Sequence, residues 1–391
     1  MKLWQKKSNL NKTIEGFTVG NDYLLDKNLI EFDCIASIAH AEMLFKTGFL
    51  DKKECTAIKK TLKQIIKLNS KGNFKIKKED EDCHTAIENF LVKKLGKTGK
   101  KIHCFRSRND QIYAAIKLYS KKETKKVIEL SKKLIKEMVL FKNKNKKINL
   151  PGYTHMRKAM PSSVGLWIQA FIDSMKDNIK LLEFTVKLND QNPLGSGAGY
   201  GVPIKIDKKL TAKLLSFSKV QNNPVYVQNS RGKFEAGILH ALNQMLFDLN
   251  KMSSDLILFS MEEFGFFELS EEICTGSSIM PNKKNPDVLE ILRAKYHENL
   301  ALEFQIKSIS SNLISGYNRD LQLTKEPLMQ GIENTKSCLK AMKIVLEHTK
   351  ANKENCEKAL TEEIFSAEKA INLTAKGMPF RTAYMKVKSE L

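Results

Sequence analysis

One segment of the 391-residue chain has residue types suited to acid–base work on a carboxylate. Thr275-Gly276-Ser277-Ser278-Ile279-Met280-Pro281-Asn282-Lys283-Lys284-Asn285-Pro286 is a loop by composition, and it leads into a helical stretch bearing Glu290. Gly276 gives such a loop conformational freedom. Ser277 supplies a hydroxyl, while Lys283 and Asn285 supply a positive charge and a hydrogen-bond donor for a carboxylate. Composition alone equally suits a surface loop rich in turn residues. Two other clusters concentrate polar side chains: Arg106-Ser107-Arg108-Asn109-Asp110-Gln111 and Pro151-Gly152-Tyr153-Thr154-His155. The arginines add weight to them. Of 66 basic residues, seven are Arg, at 106, 108, 157, 231, 293, 319 and 381. In a chain this rich in Lys, a retained Arg marks a place where a planar, bidentate cation is needed. All but Arg231 and Arg381 fall in or beside the segments of interest.

The Gly276–Pro286 run matches the Gly-Ser-Ser-Ile-Met-Pro-x-Lys-x-Asn-Pro pattern, and by it the chain resembles the fumarase/aspartase superfamily. The Arg106–Gln111 and Pro151–His155 blocks resemble those of the argininosuccinate lyases within it. Weaker echoes lie at Glu81–His84, Asn192–Ala198 and Tyr317–Gln322, so the resemblance runs in order from Leu3 to Arg381. It implies a mainly α, three-domain fold around a long central helical bundle, with four chains forming a tetramer that shares its active sites. It also implies C–N bond cleavage of argininosuccinate to arginine and fumarate, or of another N-substituted aspartate, with no metal or cofactor.

Such a reaction removes a weakly acidic proton beside a carboxylate. It needs a base, cations and donors for the developing charge, and an acid for the departing nitrogen. The resemblance makes Ser277 the base, activated by Lys283, which with Asn285 holds the developing dianion. His155 is the acid, directly or through a water, and Glu290 orients it. Arg108, Asn109, Thr154 and Ser278 are implied as anchors for the substrate carboxylates. Tyr317, Arg319 and Gln322 are implied to contact the rest of the substrate, with Asp26 as an acidic partner for a guanidinium. His84 reads as a buried hydrogen-bonding residue and stays outside the catalytic set.

The chain also departs from the pattern. Cys104-Phe105 replaces Thr-Gly before Arg106, Met160 stands in the Arg157–Pro161 run, and Trp4-Gln5-Lys6-Lys7 replaces Trp-Gly-Gly-Arg. Thr324 stands where an acidic residue is common. Phe105, Met160 and Thr324 are expected to bear on the nitrogen half of the substrate rather than on fumarate release.

Long helices are needed to position these blocks, and the periodicity supplies them. Val127, Leu130, Leu134, Met138 and Phe141 share one helical face; so do Trp167, Phe171, Met175, Ile179, Leu182 and Val186. A third face carries Leu239, Leu242, Met245, Leu249, Met252, Leu256 and Phe259. Pro203–Ile206 reads as a short strand. The expected organisation is an N-terminal helical domain over 1–105, a central bundle over 106–354 and a short C-terminal domain over 355–391. No long apolar run suggests a membrane span, and the start lacks the pattern of a signal peptide. Seven unpatterned cysteines suit free thiols in a reducing cytoplasm. The net charge of +22 comes from dispersed Lys, which reads as a solvated surface and not as specific nucleic-acid binding.

Overall fold

The computed structural model describes residues 10–391; the departure at Trp4-Gln5-Lys6-Lys7 lies outside them. The helices of ten or more residues, in chain order, are α1 (Ile30–Lys46), α2 (Lys52–Ser70), α3 (Cys83–Leu95), α4 (Arg108–Asn145), α5 (Val164–Asn189), α6 (Lys233–Phe259), α7 (Asp287–Ser311), α8 (Lys325–Glu347), α9 (Ser366–Ala375) and α10 (Phe380–Ser389). At 1.5 Å per residue the 38-residue α4 is roughly 57 Å long. The three apolar faces read from periodicity are the faces that α4, α5 and α6 bury. Leu239, Leu242, Met245, Leu249, Met252 and Leu256 of α6 are fully buried. Each contributes about 1.5–3 kcal/mol relative to exposure.

Strands are few among the described residues and form three two-stranded sheets. β1 (Asn149–Thr154) and β2 (Arg157–Ser163) make an antiparallel hairpin. β3 (Gln191–Asn192) and β4 (Lys219–Val220) pair in parallel. β5 (Phe267–Leu269) and β6 (Thr349–Ala351) pair antiparallel. Pro203–Ile206 is irregular rather than a strand. Pro203 has no N–H for a ladder, and the segment pairs with no neighbour among the described residues.

Contacts divide the chain into two compact units. The first comprises Met1–Lys126, Leu182–Ala241 and Ala301–Ile332. In it Tyr113 donates its hydroxyl to the Ser230 carbonyl (3.1 Å), and buried Lys117 donates to the Asn189 carbonyl and side chain (3.2 and 3.1 Å). The second comprises Val127–Leu181, Leu242–Leu300 and Glu333–Leu391. There Asp248 accepts from Ser174 (2.6 Å) and Asn178 (2.5 Å), and Trp167 donates its indole N–H to Asp255 (2.9 Å). These bonds tie α5 to α6, while Asn299 donates to Thr335 (3.3 Å) to tie α7 to α8.

Candidate active site

The Arg106–Gln111 block leads into α4, and Ser107 caps its first turn. Ser107 Oγ accepts from the Asn109 amide (3.2 Å), and Asp110 accepts from the Ser107 amide (2.9 Å). The other oxygen of Asp110 accepts from the Gly195 and Gly197 amides, each at 3.0 Å. This accounts for the glycines of the Asn192–Ala198 echo. Gly195 has φ +91°, and a Cβ there would lie 2.7 Å from Ile206. Burial raises the Asp110 carboxyl to about 6 even against these three amide donors. The helix start is therefore fixed, and Arg108 and Asn109 project from a rigid turn.

They open into a cavity of about 180 Å³ within the first unit. Asp22, Asp26, Asp82, His84, Arg108 and Asn109 form one part of its wall. Ile112, Arg231, Tyr317, Arg319, Gln322 and Lys325 form the rest. Asp26, Arg108, Asn109, Tyr317, Arg319 and Gln322, implied from sequence, are thus brought together. Most charges here are already matched. Arg108 pairs with Asp82 and lies 3.8 Å from Glu81. Buried Lys325 contacts Asp26 (2.6 Å) and Asp22 (2.9 Å). Burial opposes the Lys325 charge, but Asp26 and Asp22 outweigh it and raise its pKa. Two carboxylates on one ammonium leave this side of the cavity net negative. Arg231 differs. It is buried near buried Glu235, whose carboxyl its charge lowers against the larger effect of burial; its Nε and one terminal nitrogen have no hydrogen-bond partner among the described residues, and its guanidinium lies over the rings of Tyr113 (5.6 Å) and Tyr317 (5.2 Å). Arg319 and Gln322 both donate to the Thr18 carbonyl (2.9 and 3.1 Å).

Thr154, His155, Ser277, Ser278, Lys283, Asn285 and Glu290 do not line this cavity; they lie in the second unit. The Pro151–His155 block forms the end of β1 and the tip of its hairpin. His155 and Met156 form a two-residue turn with φ +53° and +58°. Such a turn favours Asn-Gly, and L-residues in this region cost roughly 1–2 kcal/mol each. His155 is exposed there and borders an apolar cavity of about 570 Å³ with Tyr153, Trp167, Phe171 and Phe259. The Thr275–Pro286 loop closes on itself through amide–carbonyl bonds between Thr275 and Asn285 (3.0 and 2.8 Å). Half-buried Ser277 accepts at Oγ from the amides of Ile279 (3.2 Å) and Met280 (3.1 Å). Asn285 donates to the Gly276 carbonyl (3.3 Å), and Ser278, Lys283 and Glu290 are exposed.

Comparison with known proteins decides the family. A model described as lyase matches residues 1–298. The argininosuccinate lyase of Thermotoga neapolitana is 49% identical over 99% of this chain and 97% of its own length. That of Phocaeicola vulgatus is 42% identical over 99% of this chain and 86% of its own.

The chain belongs to the argininosuccinate lyase family.

Its fold is shared more widely. An EDDS lyase variant solved with bound fumarate superposes with TM-score 0.82 at 21% identity, covering 98% of this chain and 76% of that one. A class II fumarase from Schistosoma mansoni gives 0.79 at 17%, covering 96% and 91%. Against this frame the family departures take new meanings. Phe105 stands in the place of a glycine and adopts φ +59°, with its ring packed edge-on against Phe49 (4.4 Å). It does not line the cavity. Thr324 is buried and donates to the Leu321 carbonyl (2.8 Å), so its side chain is committed to the helix turn instead of to a ligand. Met160 sits half-exposed on β2 opposite Gly152.

Sequence reading missed Lys325, Asp22, Asp82 and Arg231 as cavity residues. Arg231 carried a signal, as one of the few arginines; Lys325 had none among so many lysines. Asp26, Cys83 and His84 also come within 4.8 Å of one another, a grouping that could hold a metal. However, Asp26 is taken by Lys325, His84 Nδ1 contacts Asp33, and burial pushes the Cys83 thiol well up. This set does not fit a metal site.

Proposed function

We propose that the chain cleaves the C–N bond of argininosuccinate to give arginine and fumarate. The observation that carries this reading is the cavity at the start of α4. It combines a buried Arg231, two of whose nitrogens have no hydrogen-bond partner among the described residues, and a fixed Asn109, suited to carboxylates, with a net-negative Asp22–Lys325–Asp26 group suited to a guanidinium. Arg108, Asn109, Thr154 and Ser278 anchor the succinyl carboxylates. Asp26, with Tyr317, Arg319 and Gln322, receives the arginine half. Ser277, its hydroxyl activated beside Lys283, takes the proton from carbon; Lys283 and Asn285 stabilise the charge that spreads into the carboxylate. His155, oriented by Glu290, serves the departing nitrogen.

The cavity lacks Ser277, Lys283 and His155 in its wall, so in this reading a complete site draws them from other copies in a homotetramer. Residues 1–105, 106–354 and 355–391 act as the family's three domains, the middle one carrying the inter-subunit packing. No helix among the described residues is long and apolar enough to cross a membrane, and we place the enzyme in the cytoplasm. The test is fumarate absorbance with argininosuccinate, adenylosuccinate, aspartate and malate side by side. Turnover on argininosuccinate alone is expected. Brisk release from another N-succinyl compound, with argininosuccinate untouched, overturns the substrate assignment and leaves the family intact.

A further inference from the structure

Of the few arginines in this Lys-rich chain, Arg231 is the one that enters the cavity wall from outside the motif blocks. Four Arg and Lys side chains stand in that wall, and three are engaged by the protein itself. Arg108 pairs with Asp82, and Lys325 with Asp22 and Asp26. Arg319 donates to Gln322 (3.2 Å) and to the Thr18 carbonyl (2.9 Å). Arg231 is only 3% exposed, yet Nε and one terminal nitrogen of its guanidinium have no hydrogen-bond partner among the described residues. Its charge and that of Lys117 are felt by buried Glu235, but Glu235 does not line the cavity. Leaving the donors of a buried cation unused is unfavourable, so packing of the folded chain does not account for this side chain.

The backbone on both sides of Arg231 is pinned. Before it, the Ser230 carbonyl accepts from the Tyr113 hydroxyl (3.1 Å), and Ser230 Oγ accepts from Gln221 (2.8 Å). The Arg231 amide donates to the Gln228 carbonyl (3.1 Å). After it, Gly232 has φ +80°, and a Cβ there would lie 2.7 Å from Ser310. The side chain is held as well, by the rings of Tyr113 and of Tyr317, which shares the cavity wall. Aromatic faces attract a planar cation without taking up its N–H groups as a carboxylate would. A guanidinium fixed in this way pays little ordering cost when a carboxylate arrives.

We infer that Arg231 is a specificity-determining residue that binds the carboxylate at the amino-acid end of the arginine half. The inference rests on the proposed cleavage of argininosuccinate. That substrate carries three carboxylates. Two belong to the succinyl part, to which Arg108, Asn109, Thr154 and Ser278 are assigned above. The third sits on the α-carbon of the arginine half and has no partner in that assignment. Asp22 and Asp26 suit a guanidinium and repel a carboxylate, and Lys325 is already shared between them. Arg231 is the cation left for it. The cavity therefore selects an α-amino acid bearing a guanidinium, and not a guanidinium alone.

The test inhibits fumarate release from argininosuccinate with three compounds: arginine, argininamide, whose carboxylate is replaced by an uncharged amide, and succinate. On the unsubstituted enzyme arginine should bind about tenfold or more tighter than argininamide, the worth of one hydrogen bond between charged groups. Arg231→Met should erase that difference by raising the arginine constant, while the argininamide and succinate constants stay within about twofold. KM for argininosuccinate should rise by a similar factor, with kcat falling much less. Arg231→Lys keeps the charge without the planar fork and should restore part of the discrimination. Removing Arg231 leaves buried Glu235 with one cation fewer, so Arg231→Met is also combined with Glu235→Gln, which removes the stranded charge. The double variant should show the same selective loss, and Glu235→Gln alone should keep the discrimination. Equal binding of arginine and argininamide to the unsubstituted enzyme, or equal changes in all three constants on substitution, overturns the role of Arg231 and leaves the proposed function standing. An unsubstituted enzyme that neither turns over argininosuccinate nor binds arginine overturns that function as well.

Discussion

In the cavity beside α4, Arg108 faces Asp82, Lys325 faces Asp22 and Asp26, His84 faces Asp33, and Arg319 and Gln322 share the Thr18 carbonyl. In the Thr275–Pro286 loop, Ser277 and Asn285 bond to the loop's own backbone, while Ser278 and Lys283 face solvent. The first region is held by partners drawn from distant parts of the chain. The second is held almost wholly by itself. Preorganised polar groups suit recognition, because they pay little ordering cost on binding. A loop with few outside contacts sits at the low-stability end of the molecule, where closing segments are found. On the proposed function, recognition of the arginine half and the proton transfer fall to regions of different stiffness.

The sharpest way to break that contrast is Ser277→Ala. Turnover should fall by roughly 10²–10⁴-fold, the usual worth of positioned proton transfer, while substrate binding measured by equilibrium titration stays near normal. Lys283→Met should lower kcat comparably through the lost charge. Neither should shift the melting transition, since the loop contributes little burial; a large loss of stability would contradict the division.

Lys325→Met tests the stiff region. It strands buried Asp26 beside Asp22, and removing one partner of a buried pair costs about 3–5 kcal/mol. Denaturant unfolding should show this directly, with a raised KM in any folded fraction. A stable variant with unchanged KM would remove Lys325 from both roles.

Acid should also act on the first unit. Burial, with Arg106 adding to it, lowers the His40 pKa to about 3, and its Nε2–H donates to the Cys104 carbonyl (2.8 Å). The unfolded value is near 6.5. The unfolded chain therefore binds the extra proton first, and this stabilisation is full above pH 6.5 and is lost as pH falls toward 3. Asp33 adds a second loss below about pH 4, as pH falls toward 2. Asp110 acts in the opposite sense: its folded value of about 6 lies above the unfolded carboxylate value, so it adds stability as pH falls from about 6 to 4 and offsets much of the His40 loss. His40→Gln should therefore leave midpoints that rise from pH 7 to 4 relative to those of the unsubstituted chain; an unchanged difference places the acid sensitivity elsewhere.

The smallest effect concerns Thr324. Thr324→Val removes its bond to the Leu321 carbonyl and should cost about 1 kcal/mol. Because that side chain is turned into its own helix, KM for argininosuccinate should not move. A large KM change would return position 324 to the substrate site.

Much of this was legible in the residues. The period of α6 showed in its apolar side chains, and the retained arginines marked Arg106, Arg108 and Arg231. The cavity was only half legible, because its pairings join residues far apart: Asp33 with His84, and Lys325 with Asp22 and Asp26. No local pattern encodes such distances. The Pro151–His155 strand was not among the expected elements, because Pro and Gly weaken a strand pattern and the ladder is supplied only by its partner, Arg157–Ser163. Phe105 read as a change in recognition, yet its consequence is a left-handed backbone without glycine.

The seven thiols are all free, and five of them, Cys34, Cys55, Cys83, Cys338 and Cys356, are buried. The remaining two flank the two regions. Cys104 is exposed just before the Arg106–Gln111 turn, and partly covered Cys274 immediately precedes the Thr275–Pro286 loop, its thiol pushed up chiefly by burial. The natural chain thus carries its own pair of chemical clocks. Under a thiol reagent Cys104 should label first, and the slower rate at Cys274 should change whenever a ligand draws the loop down. The motion of the loop can then be timed without introducing a foreign side chain.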